Sequence, residues 1–262
     1  IVKKIGPPDN SKAEIERITN DLNKIINATV DIICAIDRDG KFIQVSKSAE
    51  RIWGYRPAEL VGKAYISLVV AEDQVLTLLT GAKIISGEVV TNFENRYICK
   101  DGTVKPMVWS ARWDPMKNAV YCVAKNISAE KEAEQKFQHL FDINPQAMWI
   151  FDSETLRFLD VNEAAIRHYG YSRKEFLSMN IKQIRPPEDV KLLKQILKQN
   201  KLKNGFQHSI ARHLKRCGEI IDIQIESNPI DYKGSNACIV LAIDITAKLK
   251  AEYSVQLSEQ RF

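Results

Sequence analysis

The sequence lacks three features: paired cysteines, a long hydrophobic run, and a strong excess of charge of one sign. Its five cysteines are odd in number and form no C-x-x-C pair, which argues against a disulfide framework and against a structural zinc site. This usage predicts reduced thiols and a cytoplasmic setting. No apolar run approaches the length of a membrane span and no signal peptide opens the chain, although the parent protein could be membrane-associated through another segment.

The charge balance argues against a nucleic-acid-binding protein, and the missing motifs argue against an enzyme. A formal net charge of +5 arises from 38 basic and 33 acidic residues, and these are interspersed rather than gathered into a basic stripe with aromatics, so we expect no nucleic-acid partner. The sequence has no phosphate-binding loop, no H-E-x-x-H and no nucleophile elbow. We therefore expect no catalytic site in this chain and, because 45% of its residues are hydrophobic and 27% charged, a globular protein.

What the sequence does contain is a repeat of domain size. The stretch from Phe42 to Leu60 recurs from Phe158 to Phe176, and Gly54 and Gly170 mark an offset of 116 residues. This period is too long for solenoid or propeller units. The sequence therefore predicts two related domains in tandem, each large enough to bury its own core.

The same order of elements is predicted in both domains: a hairpin, small helices, a long helix and three strands. Alternation places Met107, Trp109 and Ala111 on one face of a strand, which is typical of an antiparallel sheet with one buried face. The predicted long helices are Val69–Ser86 and Val190–Leu202. The predicted strands after the first hairpin are Val90–Cys99, Val104–Trp113 and Ala119–Lys125, and those of the second domain are Met148–Phe151, Arg157–Val161, Phe206–Leu214, Ile220–Ser227 and Ala237–Ile243.

An amphipathic helix is predicted before the first domain. Its apolar stripe consists of Ile15, Ile18, Leu22 and Ile25, at spacings of 3, 4 and 3 residues. The stripe is too short for a coiled coil to be assigned from sequence alone. Two interpretations stay open: the helix caps the following domain, or it forms the seam of a dimer.

Several short motifs, repeated in order and spacing, carry a resemblance to a known family. They are Ile36-Asp37-x-x-Gly40, Trp53-Gly54-Tyr55 and Tyr169-Gly170-Tyr171, the turn Lys100-Asp101-Gly102-Thr103, and the ending Asp244-Ile245-Thr246. Together they resemble PAS domains of the sensory-box type found in bacterial and archaeal receptors. The resemblance covers residues 25–128 and 140–246.

The resemblance implies an α+β fold. Each domain would be a five-stranded antiparallel sheet in the order 2-1-5-4-3, with small helices on one face and a pocket between sheet and helices. The implied organisation is a leading helix at 1–24, a first PAS domain at 25–128, a helical linker at 129–141, a second PAS domain at 142–246 and an exit helix at 247–262.

PAS domains of this type sense a ligand or mediate protein contacts, and they pass a signal through flanking helices to an output module, most often a histidine kinase. The resemblance therefore implies that this chain detects a small ligand or a partner within a two-component signalling protein. It also implies a homodimer formed through the flanking helices. The alternative is a ligand-free scaffold that only assembles the receptor.

Two short segments are the candidates for signal coupling. In PAS domains the Asp of the Asp-x-Thr ending pairs with a basic residue on a nearby strand, and Asp244, Ile245 and Thr246 match that motif. The first domain has Asn126, Ile127 and Ser128 instead. Because asparagine cannot form a salt bridge, the resemblance leaves the coupling of the first exit helix in doubt.

The linkers predict a further module beyond this chain. Residues 134–137 lead into the second domain, and nearly the same string ends the chain at 259–262. The two preceding spans differ by one heptad, which keeps a helical stripe facing the same way. We therefore expect the chain to be a fragment that continues into another PAS domain or a kinase. The alternative is chance similarity between two Glu/Gln-rich helices.

The ligand is left open. Neither stretch after the second strand of a domain carries the Asn-Cys-Arg-Phe box of flavin-binding relatives, and neither long helix carries a histidine for haem, so the sequence argues against covalent flavin and haem. His168 is expected at the surface or partly packed, and no metal spacing appears. The candidate pocket residues are Trp53, Tyr55, Trp109, Ala111, Tyr121 and Val123 in the first domain, and Tyr169, Tyr171, Ile223, Ile225 and Val240 in the second. These side chains suit a filled core equally well.

Overall fold

The computed structural model describes residues 10–200 and 207–259, and the chain divides into two compact units between Ala133 and Glu134. The first unit comprises α1 (Asn10–Ala28), β1 (Ile32–Asp37), β2 (Phe42–Val45), α2 (Ser48–Trp53), α3 (Pro57–Leu60), α4 (Ala71–Ile85), β3 (Val90–Ile98), β4 (Val104–Asp114) and β5 (Ala119–Asn126). The helix α5 (Ser128–Ile143) crosses the division.

The second unit repeats this order. It comprises β6 (Ala147–Asp152), β7 (Phe158–Val161), α6 (Glu163–Tyr169), α7 (Arg173–Ser178), α8 (Val190–Asn200), β8 (Gln207–Leu214), β9 (Ile220–Tyr232), β10 (Ser235–Asp244) and α9 (Thr246–Glu259). The strand orders are β2-β1-β5-β4-β3 and β7-β6-β10-β9-β8, with every pair antiparallel. The α+β class and the strand order that the resemblance implied are confirmed.

Side-chain alternation decides which sheet face is buried. On β4, Met107, Trp109 and Ala111 are buried, while Ser110 and Arg112 are exposed. This is the face assignment that the sequence predicts. The buried face packs against α2, α3 and α4, so the core of the first domain lies between the sheet and its helices.

The central glycine of each aromatic-Gly-Tyr motif ends a short helix. Gly54 and Gly170 stand at the C-termini of α2 and α6 with φ of 78° and 80°, a left-handed conformation that is strained for residues with a Cβ. The repeated glycine therefore has a backbone role in both domains.

Several element boundaries differ from the prediction. The helix α1 continues to Ala28, and α5 begins at Ser128 and ends at Ile143, beyond the predicted limits of 24 and 129–141. The strand β9 runs to Tyr232 rather than Ser227, past Pro229. In the described residues β8 pairs with β9 only as far as Ser227. Pro229 therefore has no partner on β8 to which a backbone N–H would have to donate. The predictions for 1–9, 201–206 and 260–262 lie outside the described residues.

The apolar stripe of α1 does not pack on the first domain. Its residues Ile15, Ile18, Leu22 and Ile25 are between 52% and 65% exposed. The interpretation of this helix as a cap on the following domain is therefore wrong for these side chains, because their apolar surface faces outward. Among the described helices, none is long and apolar enough to cross a membrane.

Candidate functional site

The first domain contains a cavity of about 300 Å³ between α4 and the inner face of the sheet. Most of its wall is apolar, including Ile84 and Ile85 from α4, Phe93 from β3, Trp109 from β4, and Val120 and Cys122 from β5. Its charged lining residues are Asp37, at the end of β1, and Arg38 and Asp39 in the exposed turn that follows. The interior is thus uncharged and its mouth is polar.

Aromatic rings form one wall of the cavity. The ring centroid of Tyr97 lies 4.9 Å from that of Trp53 and 5.0 Å from that of Trp109. The two tryptophan centroids are 6.0 Å apart, so the three rings form a triangle. Tyr97 and Trp109 line the cavity, whereas Trp53 is fully buried behind them. Burial raises the pKa of Tyr97 well above its usual value, so its hydroxyl stays neutral.

A chain of hydrogen bonds crosses the wall from the sheet to α4. Trp109 Nε1 donates to Asn95 Oδ1 (2.7 Å), Asn95 Nδ2 donates to Thr77 Oγ1 (3.2 Å), and Thr77 Oγ1 donates to the Asp73 carbonyl (2.7 Å). Asn95 and Thr77 are both buried and both line the cavity. The Asn95 amide carries two N–H groups, and the bond to Thr77 uses one of them, so the other can serve a ligand.

Two glycines make room for a tyrosine at the cavity mouth. A Cβ at Gly81 would lie 2.9 Å from Tyr65 Oη, and one at Gly40 would lie 3.1 Å from the Tyr65 ring. The ring therefore passes between α4 and the β1–β2 turn. Burial raises the pKa of Tyr65, so this side chain is a neutral hydroxyl donor at the entrance.

Two thiols meet between neighbouring strands of the sheet, and one of them, Cys122, lines the cavity. Cys34 and Cys122 are partners across β1 and β5, and both are buried. The hydrogen bond to Cys122, together with burial, raises the pKa of Cys34 well above its usual value. The Cys34 thiol is therefore protonated at neutral pH. Within the described part of the chain, no group of three or more His, Cys, Asp or Glu is placed to hold a metal ion.

The first-domain candidates divide into three groups. Trp109 and Ala111 line the cavity, but Trp53 and Tyr55 are not among its lining residues. Tyr55 instead lies beneath Lys63, whose ammonium is 4.9 Å from its ring centroid. The prediction for Tyr121 and Val123 is wrong.

The side chains of Tyr121 and Val123 are 47% and 42% exposed, and neither lines the cavity. Alternate residues of β5 face opposite sides of the sheet. Because Val120 and Cys122 face the core, Tyr121 and Val123 face outward. The sequence analysis missed Phe93, Asn95 and Tyr97, although their spacing of two along β3 was a readable signal.

The second-domain candidates lie in a packed core. Tyr169, Ile223, Ile225 and Val240 are buried in one cluster with Trp149, and Tyr171 is partly buried against it. The centroids of the Tyr171 and Phe176 rings are 5.4 Å apart. These five side chains therefore belong to the packed core of the second domain.

The two exit segments form the same turn. Asn126 Oδ1 accepts a hydrogen bond from Ser128 N (3.0 Å), as Asp244 Oδ1 does from Thr246 N (2.9 Å). Ile127 N donates to the Pro106 carbonyl (3.1 Å), and Ile245 N donates to the Asp222 carbonyl (2.9 Å). Asparagine thus preserves the turn without a carboxylate.

The first exit helix is held by ion pairs at other positions. Lys131 Nζ on α5 lies 2.9 Å from Glu94 on β3, and Glu130 on α5 lies 2.7 Å from Lys125 on β5. The hydrogen bond from Lys125 lowers the pKa of Glu130. These two ion pairs connect the first turn of α5 to the sheet of the first domain.

The partner of Asp244 differs from the one predicted. Its Oδ2 lies 3.3 Å from Nε2 of His168 on α6, not beside a basic residue on a strand, and the two atoms are not aligned for a hydrogen bond. Burial opposes the charge on Asp244, but Thr246 and the nearby His168 and Lys215 outweigh it, so its pKa lies below the usual value. Burial and the charge of Lys215 lower the pKa of His168, so this contact is not a strong ion pair at neutral pH.

Both domains also share a clamp that the sequence analysis missed. Arg96 on β3 binds the two carboxylate oxygens of Asp73 at 2.8 and 3.0 Å, and Arg212 on β8 binds those of Asp189 at 2.7 and 2.9 Å. The paired positions are each 116 residues apart. The clamp ties the start of the long helix to the edge strand in each domain.

Comparisons with known proteins agree with this duplicated architecture. The PAS fold family model matches residues 20–112 and 135–245. The methyl sulfide methyltransferase-associated sensor of Methanosarcina acetivorans is 28% identical over 133 residues, which span 51% of this chain and 13% of that relative.

Two solved structures are each similar to one domain. A PAS domain from a two-component sensor histidine kinase is 24% identical, with a TM-score of 0.37, and the match covers 44% of this chain and 98% of that chain. The PAS domain of an HTR-like protein from Haloarcula marismortui is 16% identical, with a TM-score of 0.40, and the match covers 45% and 95%. With the family model matching both repeats, the chain belongs to the PAS family and carries one PAS domain in each half.

Proposed function

We propose that the first domain detects a small, uncharged and mainly apolar molecule in the cavity beneath α4. Ligand-dependent movement then passes through α5 toward an output module, a histidine kinase reached directly or through a further PAS domain. The cavity of about 300 Å³ is the single observation that carries this proposal.

The chemistry of the wall selects the ligand class. The charged lining residues stand at the mouth, at the end of β1 and in the turn that follows, whereas the interior offers apolar groups, thiol, hydroxyl and amide. A charged ligand would lose its hydration there without a compensating charge. The volume lies at the lower end of small-molecule pockets. An aromatic or aliphatic molecule with one hydrogen-bond acceptor for Asn95 fits these conditions.

A continuous set of contacts supports the relay. Asn95 lines the cavity, and its neighbour on β3, Glu94, pairs with Lys131 on α5. Pro106 on β4 accepts a hydrogen bond from Ile127, directly before that helix. A ligand that displaces Asn95 would therefore act on the strand that holds α5.

A matched ligand pair tests the proposal. We expect benzyl alcohol to bind the wild-type chain saturably in ligand-observed NMR, and benzoate, of similar shape but charged, not to bind. Ala111→Phe fills the cavity from β4 and should weaken binding at least about tenfold, with an overpacking penalty of about 1–3 kcal/mol. Val123→Phe makes a similar enlargement on the opposite face and should leave binding unchanged. Equal binding of benzoate, or equal loss in both variants, would contradict the proposal.

A second candidate function is assembly, and the stripe of α1 favours it. Its four exposed apolar residues would be buried if α1 packed against α1 of a second chain. Sedimentation velocity should show a dimer for the wild type and a monomer for Leu22→Asp. Asn20→Asp adds the same charge at an exposed position outside the stripe and should stay dimeric. A wild-type monomer at high concentration would remove this candidate.

A further inference from the structure

A buried histidine in the second domain has an unused ring nitrogen. His213 on β8 is 0% exposed, and its Nδ1 lies 2.6 Å from the Tyr169 hydroxyl. Its Nε2 has no hydrogen-bond partner within the described residues. The equivalent residue of the first domain, 116 positions earlier, is Tyr97. The second domain thus carries a polar ring nitrogen where the first carries a phenol.

The tautomer of His213 is set by its neighbour. Burial raises the pKa of Tyr169 and lowers the pKa of His213 well below its usual value, so both groups are neutral. If Tyr169 donates to Nδ1, the histidine proton sits on Nε2 and only one donor lacks a partner. If Nδ1 donates instead, the tyrosine proton and Nε2 both lack partners. The first arrangement is more stable, so Nε2 presents a buried N–H donor.

A cationic residue, Arg185, neighbours His213 and acts on its ring through its charge. Arg185 occupies the position of Val69, which is buried in the first domain and forms a bridge with Tyr97. The corresponding backbone contact is present in the second domain, where Leu214 N donates to the Ile184 carbonyl (2.9 Å). Arginine and histidine therefore occupy, in the second domain, the positions of the buried Val–Tyr pair of the first domain.

The charge of Arg185 lacks a dedicated counter-ion. Burial lowers its pKa to about 10, which leaves the guanidinium charged at neutral pH. The nearby Asp189 carboxylate is held by Arg212 through both oxygens. Across the described ranges, no carboxylate lies within ion-pair distance of Arg185. The guanidinium of Arg185 is therefore free to pair with an anion.

We propose that Arg185 and His213 Nε2 together bind a small carboxylate inside the second domain. The planar guanidinium matches two carboxylate oxygens, and the Nε2–H can donate to one of them. A neutral ligand would leave the guanidinium without compensation. The two domains therefore take different ligand classes, uncharged in the first and anionic in the second.

Histidine side-chain NMR on the full chain tests this site. The protein is labelled with ¹⁵N-histidine and titrated with sodium acetate against sodium chloride at constant ionic strength, and the His213 signal is assigned by its loss in His213→Tyr. We expect a saturable shift of Nε2 with acetate and none with acetamide, the uncharged isostere. Arg185→Val should weaken acetate binding by about 10- to 100-fold, since a charged hydrogen-bond partner is lost.

The control is Arg167→Val, which removes the same charge from an exposed position on α6 and should leave acetate binding unchanged. Arg185→Val installs the residue of the first domain, and near-UV circular dichroism checks that it folds. The proposal is overturned by the absence of a saturable acetate shift, by acetamide binding as tightly as acetate, or by unchanged binding in Arg185→Val.

Discussion

Replacing Trp53 with alanine is expected to lower the free energy of unfolding of the first domain by about 3–5 kcal/mol. The side chain is 0% exposed, stacks on Tyr97 at 4.9 Å and contacts Phe42 at 6.2 Å between ring centroids. Its loss would open a second void behind the cavity wall and remove the support of Tyr97. Urea denaturation, with hydrogen exchange to assign the transition to the first domain, measures the change.

The phenylalanine variant at the same position separates volume from polarity. The Trp53 Nε1–H has no acceptor among the described residues, so Trp53→Phe removes an unsatisfied donor while keeping a ring in the core. We expect its destabilisation to be well under half that of the alanine variant. A loss below about 1 kcal/mol in Trp53→Ala would be typical of a surface position and would contradict the packing described here.

The Asn162→Ala substitution is expected to destabilise the second domain by about 3–4 kcal/mol. Asn162 is 0% exposed and caps α6 through a bond from Ala165 N to its Oδ1 (2.9 Å). The same oxygen accepts from Met148 N (2.9 Å), and Nδ2 donates to the carbonyls of Phe141 (3.1 Å) and Gln146 (2.9 Å). Alanine would leave these buried backbone groups unpaired. Urea denaturation read out by exchange in the second domain gives the value.

The Asn162→Asp variant separates the acceptor role of Asn162 from its donor role. Asn162→Asp keeps the acceptor for Ala165 and Met148 but cannot donate to the end of α5. If the ties to Phe141 and Gln146 matter, exchange should rise in the last turn of α5 while the start of α6 stays protected. Protection lost equally at both helix ends would show that the cap alone explains the alanine result.

The fold was predictable because its signals are local and repeated. The glycines at 54 and 170, the Asp-Gly turns and the alternation in β4 each restrict one backbone choice, and they recur at one offset. Which face of β5 is buried could not be predicted in this way. Its sequence from Ala119 to Ala124 is apolar on both faces of the strand except for Tyr121, so alternation does not identify the buried side.

The sites depend on contacts that no short pattern contains. The approach of His168 to Asp244 needs α6 to lie beside the end of β10, which local signals do not specify. The pair of Arg185 and His213 had a readable signal, since Val69 and Tyr97 occupy the equivalent positions at the common offset. Comparing the two repeats position by position would have identified the pair from the sequence.

Native mass spectrometry of the freshly purified chain is the most direct test of ligand binding in the first domain. We predict that the wild type and Val123→Phe carry an additional small, uncharged molecule that is released on denaturation, and that Ala111→Phe has the mass of the chain alone. No difference in bound mass between the wild type and Ala111→Phe, whether both are empty or both loaded, would contradict ligand binding in this cavity.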